Sequence, residues 1–253
     1  MTGRLEQRCE LLRTLHVPGT PLVLPNSWDA ASARAAVSAG FPVVATTSGG
    51  VAASLGFEDH ESAPADQMLA AAARIAAAVD VPVTVDAEAG YGMTPADLVH
   101  ALSSAGAAGC NLEDTDHTTG RIVDTSRQVD RLAAVREAAN DRHYGLVVNA
   151  RVDVFMTGAD GRSQPQLLEE AVTRARAYRA AGVDCVYPIL LHDADTIATF
   201  VEAVQGPVNI LAQPQAPPTA QLAEMGVARI SYGTSIHHRA MEQLAAFLAD
   251  IHR

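Results

Sequence analysis

Carboxylates follow two short apolar runs that are neighbours along the chain. Asp86 and Glu88 come directly after Val83–Val85, and Glu113 follows Gly109–Leu112. Hard divalent cations prefer oxygen ligands, and carboxylates gathered in one pocket repel each other unless a cation neutralises them. The spacing therefore indicates a divalent-metal site, held directly or through water. Asp86 and Glu88 taken alone also fit a turn aspartate followed by a helix-capping glutamate.

Two further segments contain residues suited to an anionic substrate. Arg151 closes the apolar run Leu146–Ala150, and its planar guanidinium can hold a carboxylate through two hydrogen bonds. The alternative for Arg151 is an internal ion pair with Asp153 or another strand-end acid. Residues 46–50 read Thr-Thr-Ser-Gly-Gly. Such small residues let main-chain N–H groups approach an anion closely, although a plain loop fits equally well.

The surrounding pattern predicts the elements that position these residues. Short apolar runs alternate with amphipathic, alanine-rich stretches along the whole chain. The predicted strands are Leu22–Leu24, Val43–Thr47, Val83–Val85, Gly109–Leu112, Leu146–Ala150, Cys185–Tyr187, Val208–Leu211 and Arg229–Ser231. The predicted helices are Ala30–Ala39, Ala65–Ala78, Pro95–Ala105, Ser126–Ala139, Gln166–Ala181, Ala194–Val204, Thr219–Met225 and Ser235–Asp250.

Eight such strand and helix units in 253 residues predict an α/β fold of the (β/α)8 TIM-barrel type. We expect a single barrel domain over residues 1–253, with the polar strand ends meeting at one mouth. A doubly wound open sheet is the alternative, because it has the same alternation of strands and helices.

Composition argues against several classes of function. The net charge of -11 leaves no basic stripe for the phosphates of a nucleic acid. Residues 1–15 have mixed charges and no apolar core of signal-peptide length, and no apolar run long enough to cross a membrane follows. The three cysteines lack zinc-site spacing and fit a reducing compartment. We expect a soluble cytoplasmic protein that contacts neither nucleic acid nor membrane.

The sequence contains no lysine, so all 18 of its Lys and Arg residues are arginine. Lysine aldolases, P-loop NTPases and pyridoxal-phosphate enzymes each need a side-chain amine. These three classes are excluded.

Residues 86–92, Asp-Ala-Glu-Ala-Gly-Tyr-Gly, resemble the Asp-Gly-Glu-Ala-Gly-Phe-Gly segment of isocitrate lyases. Mutase-like relatives of those enzymes usually have Asp-x-Asp-x-Gly-Tyr-Gly there. From Pro25 to Gly233 the chain is similar to the isocitrate lyase and phosphoenolpyruvate mutase superfamily. The resemblance implies a TIM barrel, a Mg²⁺ site that can also take Mn²⁺, and chemistry through the enolate of a 2-oxo acid. It further implies a homo-oligomer, a dimer or a tetramer, with an exchanged C-terminal helix.

The resemblance also implies roles for individual residues. Thr47, Ser48 and Gly49 would form a main-chain pocket for the carboxylate or phosphonate end of the substrate, and Arg151 would bind its carboxylate. The residues that would hold the metal, some of them through water, are Asp59, Asp86, Glu88 and Glu113.

The segment after Glu113 departs from the superfamily pattern. Isocitrate and methylisocitrate lyases have a Lys-x-Cys-Gly-His type motif there, and the mutase has lysines. Residues 115–122, Thr-Asp-His-Thr-Thr-Gly-Arg-Ile, contain neither Cys nor Lys and support neither named activity. Another group must then donate the proton that bond cleavage requires. The candidates are His117, Tyr91, Arg121 and His192, with a solvated loop histidine as the alternative for His117.

We therefore expect a Mg²⁺-dependent carbon–carbon lyase that acts on a small 2-hydroxy or 2-oxo dicarboxylic acid. Two alternatives within the same fold are an enzyme of the P–C bond of phosphonopyruvate or phosphoenolpyruvate and an oxaloacetate decarboxylase or hydrolase. A third alternative, from a different class, is a non-catalytic protein that binds a 2-oxo acid, because fold alone does not fix function.

Overall fold

The computed structural model describes residues 2–157 and 161–252. In chain order, its barrel strands one to eight are Leu22–Leu24 with Asn26–Ser27, Val44–Thr46, Val83–Asp86, Gly109–Glu113, Val147–Val152, Cys185–Pro188, Asn209–Leu211 and Arg229–Ser231. Strand one is interrupted at Pro25, which has no N–H to donate to a neighbouring strand.

The strands pair in parallel around a closed ring. Leu22–Leu24 pairs with strand eight, and Asn26–Ser27 pairs with strand two. A bridge between Val186 and Val208 links strand six to the start of strand seven. The predicted TIM barrel is confirmed, and the doubly wound open sheet is wrong because an open sheet has two unpaired edges.

Helices follow the strands and cover the outside of the barrel. They are Ala30–Ser38, Ala65–Ala77, Pro95–Ser104, Thr125–Asp141, Gln164–Ala180, Ala194–Val204, Thr219–Glu224 and Ser235–Ile251. Several begin at side-chain caps, as where Asp29 accepts a hydrogen bond from the Ser32 N–H. Fully buried Leu102 and Phe200 belong to the core between helices and strands. None of the described helices is both long and apolar enough to span a membrane.

Among the described residues, three helices and a hairpin were not predicted. The helices are Thr2–Thr14, Ser48–Leu55 and Val154–Thr157, and the hairpin joins Thr115–Asp116 to Arg121–Ile122. The helix Ser48–Leu55 was not predicted because it contains the pair Gly49-Gly50, and glycine is unfavourable inside a helix.

Strands four and five extend beyond their predicted ends, to Glu113 and Val152. The prediction ended each strand before its charged residue. Glu113 and Arg151 are partners in the parallel register, so each neutralises the other inside the sheet. A charge that is paired across two strands does not end either strand.

The C-terminal helix Ser235–Ile251 presents an apolar face to solvent. Its exposed large side chains are Met241, Leu244, Phe247, Leu248 and Ile251, and Phe247 is 63% exposed. Their spacing of three or four residues places them on one face of the helix. The expected subunit exchange through this helix stays a prediction.

A charge on this face should disrupt such an oligomer. We expect wild-type chains to form a dimer or tetramer and Phe247→Glu to shift the mass toward the monomer, because a buried unpaired carboxylate is costly. Size-exclusion chromatography with light scattering measures the mass. Gln243→Glu, at an exposed position of the same helix, is the control. A monomeric wild type would contradict the prediction.

Candidate active site

Asp86 lies at the end of strand three, beside strand two. Its backbone N–H donates to Thr46 Oγ1 at 2.8 Å, and its Oδ2 accepts a hydrogen bond from the Ser48 N–H at 3.1 Å. Its Oδ1 is buried and has no hydrogen-bond partner among the described residues. Asp86 therefore presents one carboxylate oxygen that is unsatisfied and shielded from solvent, a costly arrangement without a ligand.

The predicted main-chain pocket is the first turn of the helix Ser48–Leu55. Thr47 caps this helix, and its Oγ1 lies 2.9 Å from Thr234 Oγ1 at the far end of the chain. The Ser48 N–H is bonded to Asp86, so a substrate would meet a pocket in which this donor is occupied. A Cβ on Gly49 would lie 2.8 Å from Asp59 Oδ2, so glycine is what allows Asp59 to approach the turn.

Glu88 is held by a loop that sequence reasoning overlooked. Glu88 Oε1 accepts a hydrogen bond from the Glu61 N–H at 2.6 Å, and Glu61 Oε1 accepts one from the Tyr91 N–H at 2.5 Å. Glu61, Glu88 and Tyr91 all have positive φ, at 57°, 47° and 56°. Strained backbone of this kind clusters at functional sites. The only indication of this loop in the sequence is that Glu61 is an acidic residue two positions after Asp59.

Burial raises the pKa of Glu88 to about 7, and the negative charges of Asp86, Asp59 and Glu113 add to the increase against the Glu61 hydrogen bond. Burial and Glu88 also raise the pKa of Tyr91 well above its usual range, so its hydroxyl stays protonated. Glu88 can therefore take up or release a proton near neutral pH, whereas Tyr91 stays protonated.

Glu113 joins His117 and Arg151 into a buried chain of charges. Glu113 Oε1 lies 2.5 Å from His117 Nε2, and Glu113 Oε2 lies 2.6 Å from Arg151 Nη1. Arg151 in turn donates from Nε and Nη2 to the two carboxylate oxygens of Asp153, at 2.7 and 2.9 Å. The ion pair considered as the alternative for Arg151 is therefore present, with both acids.

This chain of charges sets the proton affinities of its members. Burial raises the pKa of Glu113 to about 7, although Arg151 and His117 act in the opposite direction. Burial lowers the pKa of His117, but the hydrogen bond and charge of Glu113 outweigh it and raise the pKa overall. The His117 side chain is only 8% exposed, so the alternative of a solvated loop histidine is wrong.

Asp114, next in sequence, has a structural role. Its Oδ1 accepts a hydrogen bond from the Asp153 N–H at 2.8 Å, and its Oδ2 accepts one from Tyr178 Oη at 2.7 Å. Arg174 also reaches Oδ2, at 3.3 Å. Asp114 thus fixes the turn after strand five that holds Asp153 against Arg151.

The remaining proton-donor candidates are exposed to solvent. Arg121 is exposed in the hairpin after strand four. His192 is exposed beyond strand six, and its Nδ1 contacts the Leu190 carbonyl. His60, by contrast, was overlooked, and its ring lies 5.3 Å from the ring of His117, centroid to centroid.

The carboxylates fit a cation held mainly through water. Across residues 2–157 and 161–252, no three His, Cys, Asp or Glu side chains are arranged to hold an ion together. Asp86 nevertheless offers a buried, unpartnered Oδ1, and the charges of its neighbours raise the pKa of Glu88. A bound cation would give Asp86 Oδ1 a partner and would offset the negative charge that raises the pKa of Glu88. The donor set is all oxygen, as Mg²⁺ prefers.

The chain is similar to proteins of one family over nearly its whole length. Residues 12–252 match the family model described as phosphoenolpyruvate phosphomutase. The crystal structure of a candidate phosphonomutase from Burkholderia cenocepacia J2315 is 40% identical, with a TM-score of 0.92, and covers 97% of this chain and 99% of its own.

Two curated relatives extend this similarity. An uncharacterised protein of Mycobacterium tuberculosis is 34% identical over 220 residues, which are 87% of this chain and 80% of that protein. A protein of Corynebacterium glutamicum named probable 2-methylisocitrate lyase 2 is 30% identical over 241 residues, covering 90% of this chain and 75% of its own.

The raised pKa of Glu88 should appear in the pH dependence of stability. Because the folded state holds this proton up to about pH 7 and the unfolded state only to about 4.5, the free energy of unfolding should fall as pH rises between them. Glu88→Gln should lack this decrease in the free energy of unfolding, which is on the order of 3 kcal/mol, and should be more stable than wild type above pH 7. Urea unfolding with a chelator present measures this.

Glu58→Gln, which removes an exposed carboxylate near Asp59, is the control for the change in net charge. An unfolding free energy of Glu88→Gln that follows the wild-type value at every pH would show that Glu88 is not held in its protonated form.

Proposed function

Because the chain belongs to the phosphoenolpyruvate phosphomutase family, within the isocitrate lyase and phosphoenolpyruvate mutase superfamily, we propose that it is a Mg²⁺-dependent carbon–carbon lyase. Its substrate would be a small 2-hydroxy or 2-oxo dicarboxylate. The observation that supports this most directly is the buried contact of Glu113 with both Arg151 and His117 at the strand ends that also carry Asp86. This arrangement would bring together, at one barrel mouth, an arginine that binds an anion, a histidine that carries a proton, and carboxylates.

Asp86 would hold Mg²⁺ directly, and Asp59, Glu88 and Glu113 would hold it through water. Mg²⁺, when bound, supplies Lewis-acid stabilisation of the negative charge that develops on the substrate oxygens. The residues of the chain then have to bind the substrate carboxylate and to move two protons.

Arg151 would bind the substrate carboxylate. Its Nε, Nη1 and Nη2 each make a contact to Asp153 or Glu113, which fixes the plane of the guanidinium. A guanidinium has five N–H groups, so two remain for the substrate. The ion pairs and substrate binding are therefore compatible, because the acids position the group that the substrate meets.

Glu88 and His117 would carry the protons. In a 2-hydroxy dicarboxylate, the hydroxyl proton passes to Glu88, the hydroxyl carbon becomes a carbonyl, and its bond to the neighbouring carbon breaks. The electron pair of that bond forms the enolate of the second fragment, and His117 donates a proton to the enolate carbon. The products are a 2-oxo acid and a carboxylic acid, and no redox partner is needed.

A second candidate is an enzyme of the P–C bond, which the 40% identity to the candidate phosphonomutase favours. The absence of lysine weighs against a mutase of the usual pattern. Both functions use the same metal and carboxylate sites, so the choice between them rests on the substrate.

A substrate panel with and without Mg²⁺ tests the proposal. Release of pyruvate, glyoxylate or phosphate is measured for 2-hydroxy dicarboxylates, oxaloacetate and phosphonopyruvate. We expect Mg²⁺-dependent cleavage of a dicarboxylate, and Asp86→Ala should abolish it without unfolding the chain. Asp66→Ala, an exposed acid on an outer helix, is the control. Phosphate release alone would favour the second candidate, and binding without turnover would indicate a 2-oxo acid binding protein.

His117→Gln separates proton donation from structure. The glutamine amide can still donate a hydrogen bond to Glu113 but cannot transfer a proton, so kcat should fall about 10²- to 10⁴-fold with little change in KM. His192→Gln, at the exposed histidine beyond strand six, should keep wild-type kcat. A kcat of His117→Gln close to wild type would assign the proton to another group.

A further inference from the structure

The inside of the barrel is polar below the candidate site. Barrels of this type are usually filled by branched apolar side chains. Here the buried polar side chains on five strands include Asn111, Asn149, Tyr187, Asn209, Arg229 and Ser231. Hydrogen bonds join some of them between neighbouring strands, as between Asn149 Nδ2 and Asn111 Oδ1 at 2.9 Å and between Asn209 Nδ2 and Ser231 Oγ at 3.1 Å.

Arg229 is the charged member of this layer, and the proposed reaction does not use it. It begins strand eight and is 0% exposed. Its Nη2 donates to Asn111 Oδ1 at 3.1 Å on strand four, so the side chain crosses the barrel. Within the described residues, its Nε and Nη1 have no hydrogen-bond partner. The guanidinium is therefore buried against a neutral amide.

The guanidinium contacts an amide that lies beside Asp86 and one layer below Glu113. Asn111 is the register partner of Asp86 and stands two residues before Glu113 on the same strand. Burial lowers the pKa of Arg229, and the negative charge of Asp86 acts against that effect. The positive charge thus faces the acidic cluster from inside the barrel, where the low polarity of the surroundings weakens screening.

An unpartnered buried charge lowers stability, and an apolar side chain of similar volume would usually be tolerated better. Groups kept at such a cost tend to mark functional sites. Arg229 contrasts with Arg174, which is also buried but is paired with Asp114 and Glu170.

We propose that Arg229 is a positioning residue of the active site, acting through Asn111 and through its charge on the acid-rich mouth. It holds the strand-four amide beside Asp86 and below Glu113, and it supplies positive potential that strengthens the binding of a dianionic substrate. This inference rests on the proposed function, since it assumes that a dianion binds at the mouth.

The test compares Arg229→Met and Arg229→Lys with wild type. Oxalate, a small dianion, is titrated in the presence of Mg²⁺ by calorimetry, and Tm is measured without ligands. We expect Arg229→Met to weaken oxalate binding at least about fivefold, because loss of a buried positive charge near the mouth weakens the attraction for a dianion. We expect its Tm to stay the same or rise, because the buried charge has no acidic partner in the described part of the chain. Arg229→Lys, which keeps the charge, should retain most of the affinity.

Arg174→Met is the matched control, and its Tm should fall because it leaves Asp114 buried with one partner fewer. Unchanged oxalate affinity in Arg229→Met would overturn the inference and leave the proposed function intact. A Tm that falls as far as in the control, or failure to fold, would show a structural role and also overturn it. Absence of oxalate binding by the wild type would overturn the proposed function and the inference together.

Discussion

The ion pair between Glu113 and Arg151 is the interaction on which the rest of the site depends. It joins the ends of strands four and five, and each partner is almost fully buried. Removing either partner would leave the other buried charge with one partner fewer, Arg151 with Asp153 or Glu113 with His117, in a medium that solvates charge poorly. The contacts of His117 with Glu113 and of Asp153 with Arg151 extend the same pair, so the His117 and Arg151 side chains are fixed relative to each other.

A second constraint comes from the loops around Glu88. The backbones of Glu61, Glu88 and Tyr91 are all in the left-handed region, where side chains are disfavoured. Hydrogen bonds between the two loops maintain these conformations. The result is a carboxylate held away from water beside other carboxylates, and this environment raises its pKa toward neutrality. Strain in the loops and the proton affinity of Glu88 are thus two consequences of one arrangement.

Much of the fold follows from local pattern. Strands Leu22–Leu24 and Arg229–Ser231 and helix Ala194–Val204 have the predicted bounds, because apolar runs and capping residues define them within a few positions. The unpredicted helix Ser48–Leu55 was missed because its stability comes from packing and from Thr47, not from its glycines. The fold was therefore predictable, and the errors lie where long-range contacts outweigh local preference.

The sequence by itself determined the barrel, the family and the acids at the strand ends, because spacing and alternation are local properties. Only the tertiary structure decided what those acids contact. Three contacts join residues from different strands and loops. They are the ion pair of Arg151 with Glu113, the hydrogen bond from the Glu61 N–H to Glu88, and the hydrogen bond from Arg229 to Asn111. Strand pairing and loop packing bring the first two pairs together, closure of the sheet into a ring brings Arg229 to Asn111, and no spacing along the chain encodes those distances.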